Sequence, residues 1–595
     1  MMATPACAGK LDTDEVNGPG DEGLDWDAIY WRPVEDDVRR LRQRIFKASQ
    51  DGDLKRVRSL QKLMLRSRSN TLVSVRRVTQ HNAGRKTAGI DGEVALTSSD
   101  RAALAVDLHQ HAAPWLARPV KRVYIPKANG KQRPLGIPVL RDRVLQARVA
   151  NALEPEWEAR FEPRSYGFRP GRGCHDAVEA IYATLKGRRS KREWVLDADL
   201  SAAFDHIDHD RLLDHLGAFP GRGMVAGWLA AGVIEQGRFA PTEEGTPQGG
   251  VVSPLLLNIA LHGMEEAAGV RYTRSDPHGA HVRADSPVLV RYADDFVVMC
   301  HTRDQAEQVR HRLGQWLTPR GLTFNEDKTS IVHVERGFDF LGFNVRRFDG
   351  KLLIKPSPAA VRRIRKRLAE EVCSLNGSNA LAVIRRLNPI VRGWAAYYRS
   401  GVSKEVFSAV DHFLWRRLYR WALRAHPNKS KQWVAARYFG MFNASRTDRW
   451  VFGDRDSGTY LRQFTWTKIV RHKMVMGTAS PDDPALDRYW ASRRRKSYAL
   501  FGGATASLMI RQRGLCSACG TFLLHADHGP QSPSEWEQWT RTLTKAIRKA
   551  ALVVDDVAGD DPTTRLMHTH CHQREQHQRQ WEIQHEQNKT STRLA

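Results

Sequence analysis

Cysteine is scarce in this chain, and long apolar runs are absent. Seven cysteines occur in 595 residues, and this odd number argues against a disulfide framework and for a reducing compartment. The longest apolar stretch, Met224–Ile234, is far shorter than the roughly 18 residues of a membrane-spanning helix. The N-terminus is acidic and polar, so no signal peptide is expected there. We therefore expect a soluble intracellular protein.

Acidic residues are outnumbered by basic ones. Lys and Arg number 93 against 66 Asp and Glu, so the formal charge is +27. Such a surplus favours a polyanionic partner, either nucleic acid or an anionic membrane surface, and the lack of an apolar run weighs against the membrane. At about 150 residues per domain, the length suggests three or four domains. Nucleic acid is the expected partner.

The charge changes sign near the N-terminus. Residues 11–37 contain ten acids and a single base, Arg32, which predicts a solvated, disordered leader over 1–37. Residues 39–68 instead carry eleven Lys and Arg. This pattern predicts two basic helices, whose polar faces either are ordinary solvated surface or lie along a phosphate backbone.

From about 70 to 350, β-rich runs alternate with helical stretches and Gly/Pro turns, which is typical of an α/β or α+β core. The clearest predicted strands are Val123–Ile125, Trp194–Asp199, Val288–Tyr292 and Phe296–Met299. From Pro356 to about 450 the chain becomes helical and rich in Arg and Trp. A basic stretch and a small Cys/His-containing region follow.

Two apolar β-forming runs flank Tyr292-Ala293-Asp294-Asp295. This predicts a hairpin with adjacent carboxylates at its tip, although Asp-Asp also favours a plain polar turn. Adjacent carboxylates repel each other unless a cation lies between them. Asp199 ends another predicted strand, and three carboxylates from neighbouring strands are what two-metal phosphoryl transfer requires. Mg²⁺ is the expected ion, because it prefers oxygen ligands and shares them with substrate phosphates.

Around these carboxylates the chain resembles a known family. Tyr-Ala-Asp-Asp is similar to the signature of reverse transcriptases, and the surrounding motifs resemble group II intron-encoded reverse transcriptase/maturases in the family's order. The matching segments are 87–92, 131–138 with Asp142, Arg143 and Gln146, 166–171, 245–254 with Asn258, 322–329 and 340–343. The resemblance implies an α+β fold, with right-hand polymerase fingers and palm followed by an α-helical thumb/maturase domain. It also implies RNA-directed DNA polymerase (reverse transcriptase) activity with Asp199, Asp294 and Asp295 as Mg²⁺ ligands.

The resemblance further implies roles for residues near these carboxylates. Arg133, with Lys131, would bind the incoming triphosphate; Phe204 would contact the sugar and exclude ribonucleotides, so dNTPs are the expected substrates. Lys328 would donate a proton to the departing pyrophosphate. A surface arginine, a core aromatic and a flexible loop are the corresponding structural alternatives. The implied substrate-binding residues are Lys131, Arg133, Phe204, Gln248 and Gly249.

Aromatic and basic residues alternate through 387–399 and 413–421, and these segments resemble the maturase motifs (domain X) of the same family. Aromatic side chains beside arginines can stack on exposed RNA bases. The resemblance implies binding of intron RNA to promote splicing. Trp394, Trp415 and Trp421, taken individually, are better explained as core residues.

The C-terminal region contains two pairs of metal-ligand residues. Cys516 and Cys519 are separated by two residues, and His568 and Cys571 repeat that spacing. The four predict a structural zinc site, against the alternative of an inert cysteine pair followed by a His-rich tail.

The segment between the pairs, 524–529, resembles HNH nucleases, in which a ββα-metal module cleaves DNA with a divalent ion. The resemblance implies His528 as general base and Asp527 and His572 as ligands of the nuclease metal. One feature departs from the family: residues 529–565 contain no asparagine, so the middle residue of an HNH motif is missing.

These features predict a bacterial cytoplasmic protein that associates with the nucleoid when it acts on DNA. It would copy an RNA template from a DNA primer, bind its intron RNA, and nick target DNA for target-primed reverse transcription during intron mobility. A splicing-only maturase with a vestigial polymerase site and a host-recruited defence reverse transcriptase are the alternatives. No membrane partner is expected, and a homodimer remains open. The predicted ranges are 1–37 (leader), 38–350 (fingers and palm), 351–455 (thumb/maturase), 456–504 (basic DNA-binding linker), 505–585 (HNH-like module) and 586–595 (tail).

Overall fold

The computed structural model describes residues 23–111, 115–126, 132–187, 190–273, 281–498 and several shorter segments between 508 and 580. Its α-helices are α1 (Trp31–Gln50), α2 (Leu54–Arg66), α3 (Arg68–Arg76), α4 (Ser98–Gln110), α5 (Leu140–Glu158), α6 (Cys174–Leu185), α7 (Ala203–His206), α8 (His209–Leu216), α9 (Arg222–Ala230), α10 (Ser253–Ala260), α11 (Met264–Ala267), α12 (Arg303–Leu317), α13 (Pro358–Ser374), α14 (Ala380–Tyr398), α15 (Lys404–Ala425), α16 (Lys431–Tyr438), α17 (Asp487–Tyr498) and α18 (Pro533–Arg548). Its strands are β1 (Val120–Pro126), β2 (Gln132–Ile137), β3 (Trp194–Asp199), β4 (Val233–Glu235), β5 (Arg238–Ala240), β6 (Val288–Tyr292), β7 (Asp295–Cys300), β8 (Ser330–His333), β9 (Phe338–Phe340), β10 (Phe343–Phe348), β11 (Lys351–Pro356), β12 (Phe439–Gly440), β13 (Val451–Phe452), β14 (Leu552–Asp556) and β15 (Thr564–His568).

Three basic helices, α1 to α3, begin this part of the chain and pack on α5. The structure corrects the leader predicted over 1–37, because α1 begins at Trp31 and Trp26 is buried beside it. The two indole rings meet edge to face, 5.0 Å apart. Charge composition alone predicts disorder here, but the two buried indole rings supply enough apolar contact to order this short acidic segment. Residues 1–22 lie outside the described ranges.

The central element is a four-stranded antiparallel sheet in the order β6–β7–β3–β8. Alternate residues of its strands enter different hydrophobic cores: Leu196 packs with α5, α10 and α12, whereas Val195 packs with α6 and the later helices. Both faces are therefore covered, which is why these strands read as continuous apolar runs in the sequence. The predicted strands and the mixed α+β class are confirmed.

A second sheet, in the order β2–β1–β4–β5, lies in the region expected to form the fingers. The antiparallel pair β1–β2 sets Ile125 opposite Arg133. β1 also pairs in parallel with β4, so this sheet joins the hairpin to the chain that leads to the Gly-rich segment near 245–250.

Helices α13, α14 and α15 follow the small sheet of β9, β10 and β11 and form the region expected to be the thumb. Trp394 and Trp421 are buried in the core that these helices share. Trp415 is partly buried and stacks on Tyr419 with ring centroids 5.6 Å apart. The first two are thus core residues, in agreement with the structural alternative stated for them.

Part of the predicted basic linker packs closely against earlier parts of the chain. Asp482 accepts two hydrogen bonds from Arg42 of α1, at 2.8 and 2.7 Å, and Arg172 donates to the carbonyl of Gly477 at 2.6 Å. Residues 470–493 therefore form a structural strap between α1 and the segment before α6, and DNA binding by the linker stays a prediction.

The C-terminal region contacts the preceding helices through α18, which packs along α14. A Cβ on Gly393 would lie 2.7 Å from the Glu537 nitrogen, so the close approach of the two helices depends on this glycine. Glu537 is buried and pairs with Arg367 at 2.7 Å. Strands β14 and β15 pair antiparallel beside α18.

Within the described ranges, no helix has both the length and the apolarity needed to cross a bilayer.

Candidate polymerase site and metal centre

Three carboxylates meet at one end of the central sheet. Asp199, the last residue of β3, lies directly opposite Asp295, the first residue of β7. Asp294 precedes it in the turn after β6, next to Ala293, whose φ is +59°. Residues directly opposite each other on antiparallel strands have Cβ atoms about 4.5–5.5 Å apart, a separation at which two carboxylates can share an ion. The structure thus brings together the three acids predicted from sequence.

The surroundings of these carboxylates favour a bound cation. Burial raises the pKa of Asp294, and burial together with the charges of neighbouring acids holds the pKa of Asp295 well above its ordinary value. The Lys328 ammonium group pairs with Asp199, so one cation already lies against the cluster. A cluster of like-charged oxygen donors fits Mg²⁺, because the ion relieves their repulsion and prefers carboxylate ligands.

A fourth carboxylate, which is not among the predicted metal ligands, lies on the same strand. Asp197 precedes Asp199 by two residues, so both side chains are on one face of β3. Burial, followed by the charges of Asp339 and Asp199, raises the pKa of Asp197 to about 7. The Asp-x-Asp spacing in a predicted strand was the available signal.

The predicted triphosphate ligand of the fingers faces the same site. Arg133 is exposed on β2, and its positive charge acts on Asp294, where it opposes the rise in pKa caused by burial. The guanidinium is therefore within electrostatic range of Asp294. Lys131 lies outside the described ranges.

The Gly-rich segment is attached to this fingers hairpin. The Gly136 amide donates to the Gln248 carbonyl at 2.7 Å. Gly249 has φ +122°, and a Cβ there would lie 2.8 Å from the Gly136 oxygen. Both the backbone conformation and the close approach require glycine at this position. The segment is therefore held against β2 by its main chain, unlike a loop without contacts.

Phe204 lies on α7, immediately beyond the strand that ends in Asp199. Its ring is partly buried and meets Phe168 edge to face, with centroids 6.2 Å apart. Contact with a nucleotide sugar stays a prediction, as does proton donation by Lys328.

The second group of ligand side chains is in the C-terminal region. Cys516, Cys519, His568 and Cys571 each offer a ligand atom, and these four atoms lie within 4.8 Å of one another. Hydrogen bonds among the thiols lower the pKa of Cys516 but raise that of Cys571, so the case for a metal rests on the geometry of the four ligand atoms. Three sulfurs and one imidazole nitrogen are a common zinc donor set. The spacing thus predicted which residues meet, and the identity of the ion stays a prediction.

The predicted nuclease residues are only partly described. Asp527 and His528 lie outside the described ranges. His572 follows the cluster residue Cys571, and its Nε2 is 2.9 Å from the side-chain nitrogen of Gln576. The HNH roles of all three therefore stay predictions.

Three known families match consecutive parts of the chain. The N-terminal domain of reverse transcriptase matches residues 26–108, and reverse transcriptase (RNA-dependent DNA polymerase) matches 125–345. The maturase-specific domain of group II introns matches 361–439. The second match contains every palm carboxylate discussed above.

Individual relatives match about half of the chain. Protein YkfC of Escherichia coli (strain K12) is 36% identical over 314 residues, which are 48% of this chain and 82% of YkfC. The group II intron-encoded protein LtrA of Lactococcus lactis subsp. cremoris is 28% identical over 321 residues, which are 44% of this chain and only 53% of LtrA. A solved structure of apo telomerase from Candida tropicalis, truncated from the C-terminal domain, matches at 14% identity over 40% of this chain and 55% of the telomerase chain. Its TM-score of 0.29 is too low to support an argument about the fold.

A maturase-specific domain that directly follows a reverse transcriptase domain, together with a relative matched over most of its length, shows that this chain belongs to the group II intron reverse transcriptase/maturase family.

Proposed function

We propose that this RNA-directed DNA polymerase uses Asp199, Asp294 and Asp295 to hold the two Mg²⁺ ions of its reaction. The register of β3 and β7, with Asp199 opposite Asp295 at the turn that carries Asp294, is the observation that supports this assignment. A splicing-only maturase would have no need of three partly buried carboxylates at one sheet edge.

In this proposal, bound Mg²⁺ supplies the charge that activates the primer 3′-hydroxyl and neutralises the triphosphate. The strands hold the carboxylates at a short separation before any substrate arrives, so little reorganisation is needed during the reaction. Arg133 extends from the fingers towards the phosphates. Lys328 exchanges Asp199 for the departing pyrophosphate and donates a proton to it.

Phe204 limits the sugar pocket in this proposal, so that dNTPs are incorporated in preference to ribonucleotides. The attachment of the Gln248–Gly249 segment to the fingers supports a role in lining the nucleotide or template path, because its backbone is held against β2.

The helical region after the palm belongs to the maturase-specific match, and such a domain binds intron RNA. We propose that it stabilises the folded intron while the RNA performs the splicing chemistry. Helix α13 supports this assignment, because it buries Ile364 and Leu368 while Arg362, Arg363 and Lys366 are exposed. A row of cations on an exposed helix face can follow an RNA backbone.

Primer extension on a purified RNA template with Mg²⁺ tests the polymerase assignment. Asp294→Ala combined with Asp295→Ala should lower cDNA synthesis by at least about a thousandfold while intron RNA binding is nearly unchanged. The exposed carboxylate of α12, replaced in Asp304→Ala, is the control and should leave synthesis intact. Synthesis that survives the double substitution would show that other groups bind the ions.

The C-terminal region would add a DNA-nicking activity that produces the primer at the target site. Four ligand atoms within 4.8 Å support a structural zinc ion at Cys516, Cys519, His568 and Cys571, whereas the roles of Asp527, His528 and His572 rest on the motif alone. His528→Ala should abolish nicking of target DNA and leave zinc content and cDNA synthesis unchanged. Unchanged nicking in this variant would defeat the HNH assignment.

A further inference from the structure

A buried polar network lies behind the turn that carries two of the palm carboxylates. Arg291, on β6 just before the turn, is 1% exposed. Its Nη1 donates to Asn258 Oδ1 at 2.9 Å and, more weakly, to the Ala293 carbonyl at 3.3 Å. Asn258 of α10 is 0% exposed and donates from Nδ2 to the Gly167 carbonyl at 2.9 Å. The Arg291 guanidinium thus links the turn to α10 directly and, through Asn258, to the main chain at Gly167.

Gly167 brings this network into direct contact with the turn. A Cβ on Gly167 would lie 2.3 Å from the Ala293 nitrogen, so only a glycine allows the two backbones to meet. Main-chain hydrogen bonds join the same segments on either side, from Tyr166 to the Arg291 carbonyl at 2.9 Å and from Arg291 to the Arg164 carbonyl at 3.0 Å. The segment before the turn is therefore held along its length.

The turn needs such support for two physical reasons. Ala293 has φ +59°, a left-handed conformation that a residue with a Cβ keeps only when its surroundings impose it. The next two residues, Asp294 and Asp295, carry like charges that repel each other and Asp199. Without restraint, both the strain and the repulsion would move the turn away from β3.

Arg291 also contributes charge. It interacts electrostatically with Glu162, Glu265 and Asp294. Burial lowers the pKa of Arg291 only to about 10, so the group remains a cation at neutral pH. An apolar side chain of similar length would fill its space but would supply neither the two hydrogen bonds nor the charge.

We propose that Arg291 is a positioning residue of the polymerase site, which through Asn258 and the Ala293 carbonyl holds Asp294 and Asp295 where they bind the same ions as Asp199. This inference rests on the proposed function, since it concerns the ligands assigned there. A displacement of about 1 Å at reacting groups can cost roughly a hundredfold in rate. The residues proposed to bind dNTP lie on other elements, so nucleotide binding should be much less affected than the rate.

The test compares Arg291→Met, Arg291→Lys and Asn258→Ala in the full chain by primer extension over a range of Mg²⁺ concentrations. Arg291→Met and Asn258→Ala should each lower kcat by about tenfold or more and raise the Mg²⁺ concentration for half-maximal activity severalfold, with KM for dNTP within about twofold. Arg291→Lys keeps the charge and one donor and should recover part of the loss. The Met/Ala double variant should be little worse than the poorer single variant, because the two residues act in series.

Arg347→Met is the matched control. Arg347 is 8% exposed and donates to the Leu185 carbonyl at 3.2 Å, away from the turn, so its loss should lower thermal stability without shifting the Mg²⁺ dependence. If the Arg291 and Asn258 variants behave like Arg347→Met, the positioning role is wrong. Should Arg291→Met not fold, Arg291→Lys and Asn258→Ala decide by the same readout. Failure of the proposed function would look different, because Asp294→Ala would then retain cDNA synthesis.

Discussion

The palm carboxylates and the C-terminal Cys/His cluster both gather metal-ligand side chains, but very different frameworks hold them. The palm acids lie on a sheet enclosed by two large hydrophobic cores. Among the described residues, the cluster belongs to a small core whose buried members include its own three cysteines, Cys516, Cys519 and Cys571. The palm sheet can therefore position its ligands before an ion binds, whereas in the small core the ion would itself supply folding energy.

Loss of the metal proposed for the Cys/His cluster should give the largest difference between the two regions. Cys516→Ser, or a strong chelator, is expected to unfold the C-terminal region while the palm stays folded, because the roughly 10–16 kcal/mol of structural zinc binding is also folding free energy. Zinc analysis and limited proteolysis measure the two effects. Cys373→Ser, which removes an exposed thiol, should keep the metal. If the C-terminal region resists proteolysis equally well without metal, its folding does not depend on the ion, and the two regions do not differ in this respect.

Repulsion among the palm carboxylates should make the free energy of unfolding depend on pH. Asp197 keeps its proton up to pH about 7 in the folded protein, against an ordinary pKa of 3.8, so the folded state binds more protons in this window and stability falls as pH rises through it. In the absence of divalent ions, Asp197→Asn should raise the free energy of unfolding by about 4 kcal/mol at pH 8 and have little effect near pH 4. Thermal melts at both pH values provide the measurement.

The exposed Asp304→Asn on α12 is the control for this experiment and should change stability little at either pH. An equal gain for Asp197→Asn at pH 4 and pH 8 would show that packing, and not ionisation of this carboxyl, causes the change. In that case, repulsion between Asp197 and the neighbouring carboxylates would not destabilise the palm, and a bound ion would have no such repulsion to relieve.

The smallest expected effect concerns the contact that joins the two regions. Gly393→Ala places a methyl group 2.7 Å from the Glu537 nitrogen, which should cost about 1–2 kcal/mol at the α14–α18 contact and speed proteolysis after α17. Gly223→Ala is a matched control in α9, because a Cβ there meets nothing within 4 Å. Equal proteolysis rates in the two variants would mean that α18 does not depend on a close fit against the thumb.

Local patterns predicted much of the palm. Trp194–Asp199 and Val288–Tyr292 form strands with the predicted bounds, because their apolar β-forming residues suit a sheet covered on both faces. The metal-ligand spacing at Cys516–Cys519 and His568–Cys571 likewise predicted which side chains meet. These features depend on neighbouring residues in the chain, so sequence reasoning can reach them.

Other features depend on contacts between distant segments. Trp26 and Trp31 order a segment whose charge predicts disorder. The strap over 470–493 carries Asp482 to Arg42 on α1, and no local pattern indicates that pairing. In the sequence, Asp197 looks like an ordinary strand residue. Only the fold buries it beside other acids, which raises its pKa.

The sequence by itself determined that three carboxylates would stand at strand ends and that the chain would attract nucleic acid, since residue spacing and net charge are properties of the linear chain. Only the tertiary structure decided that Asp199 lies opposite Asp295 and that Arg291 reaches Asn258 behind them. The physical reason is that strand register and buried hydrogen bonds between separate elements are selected by packing of the whole core, which no single segment encodes.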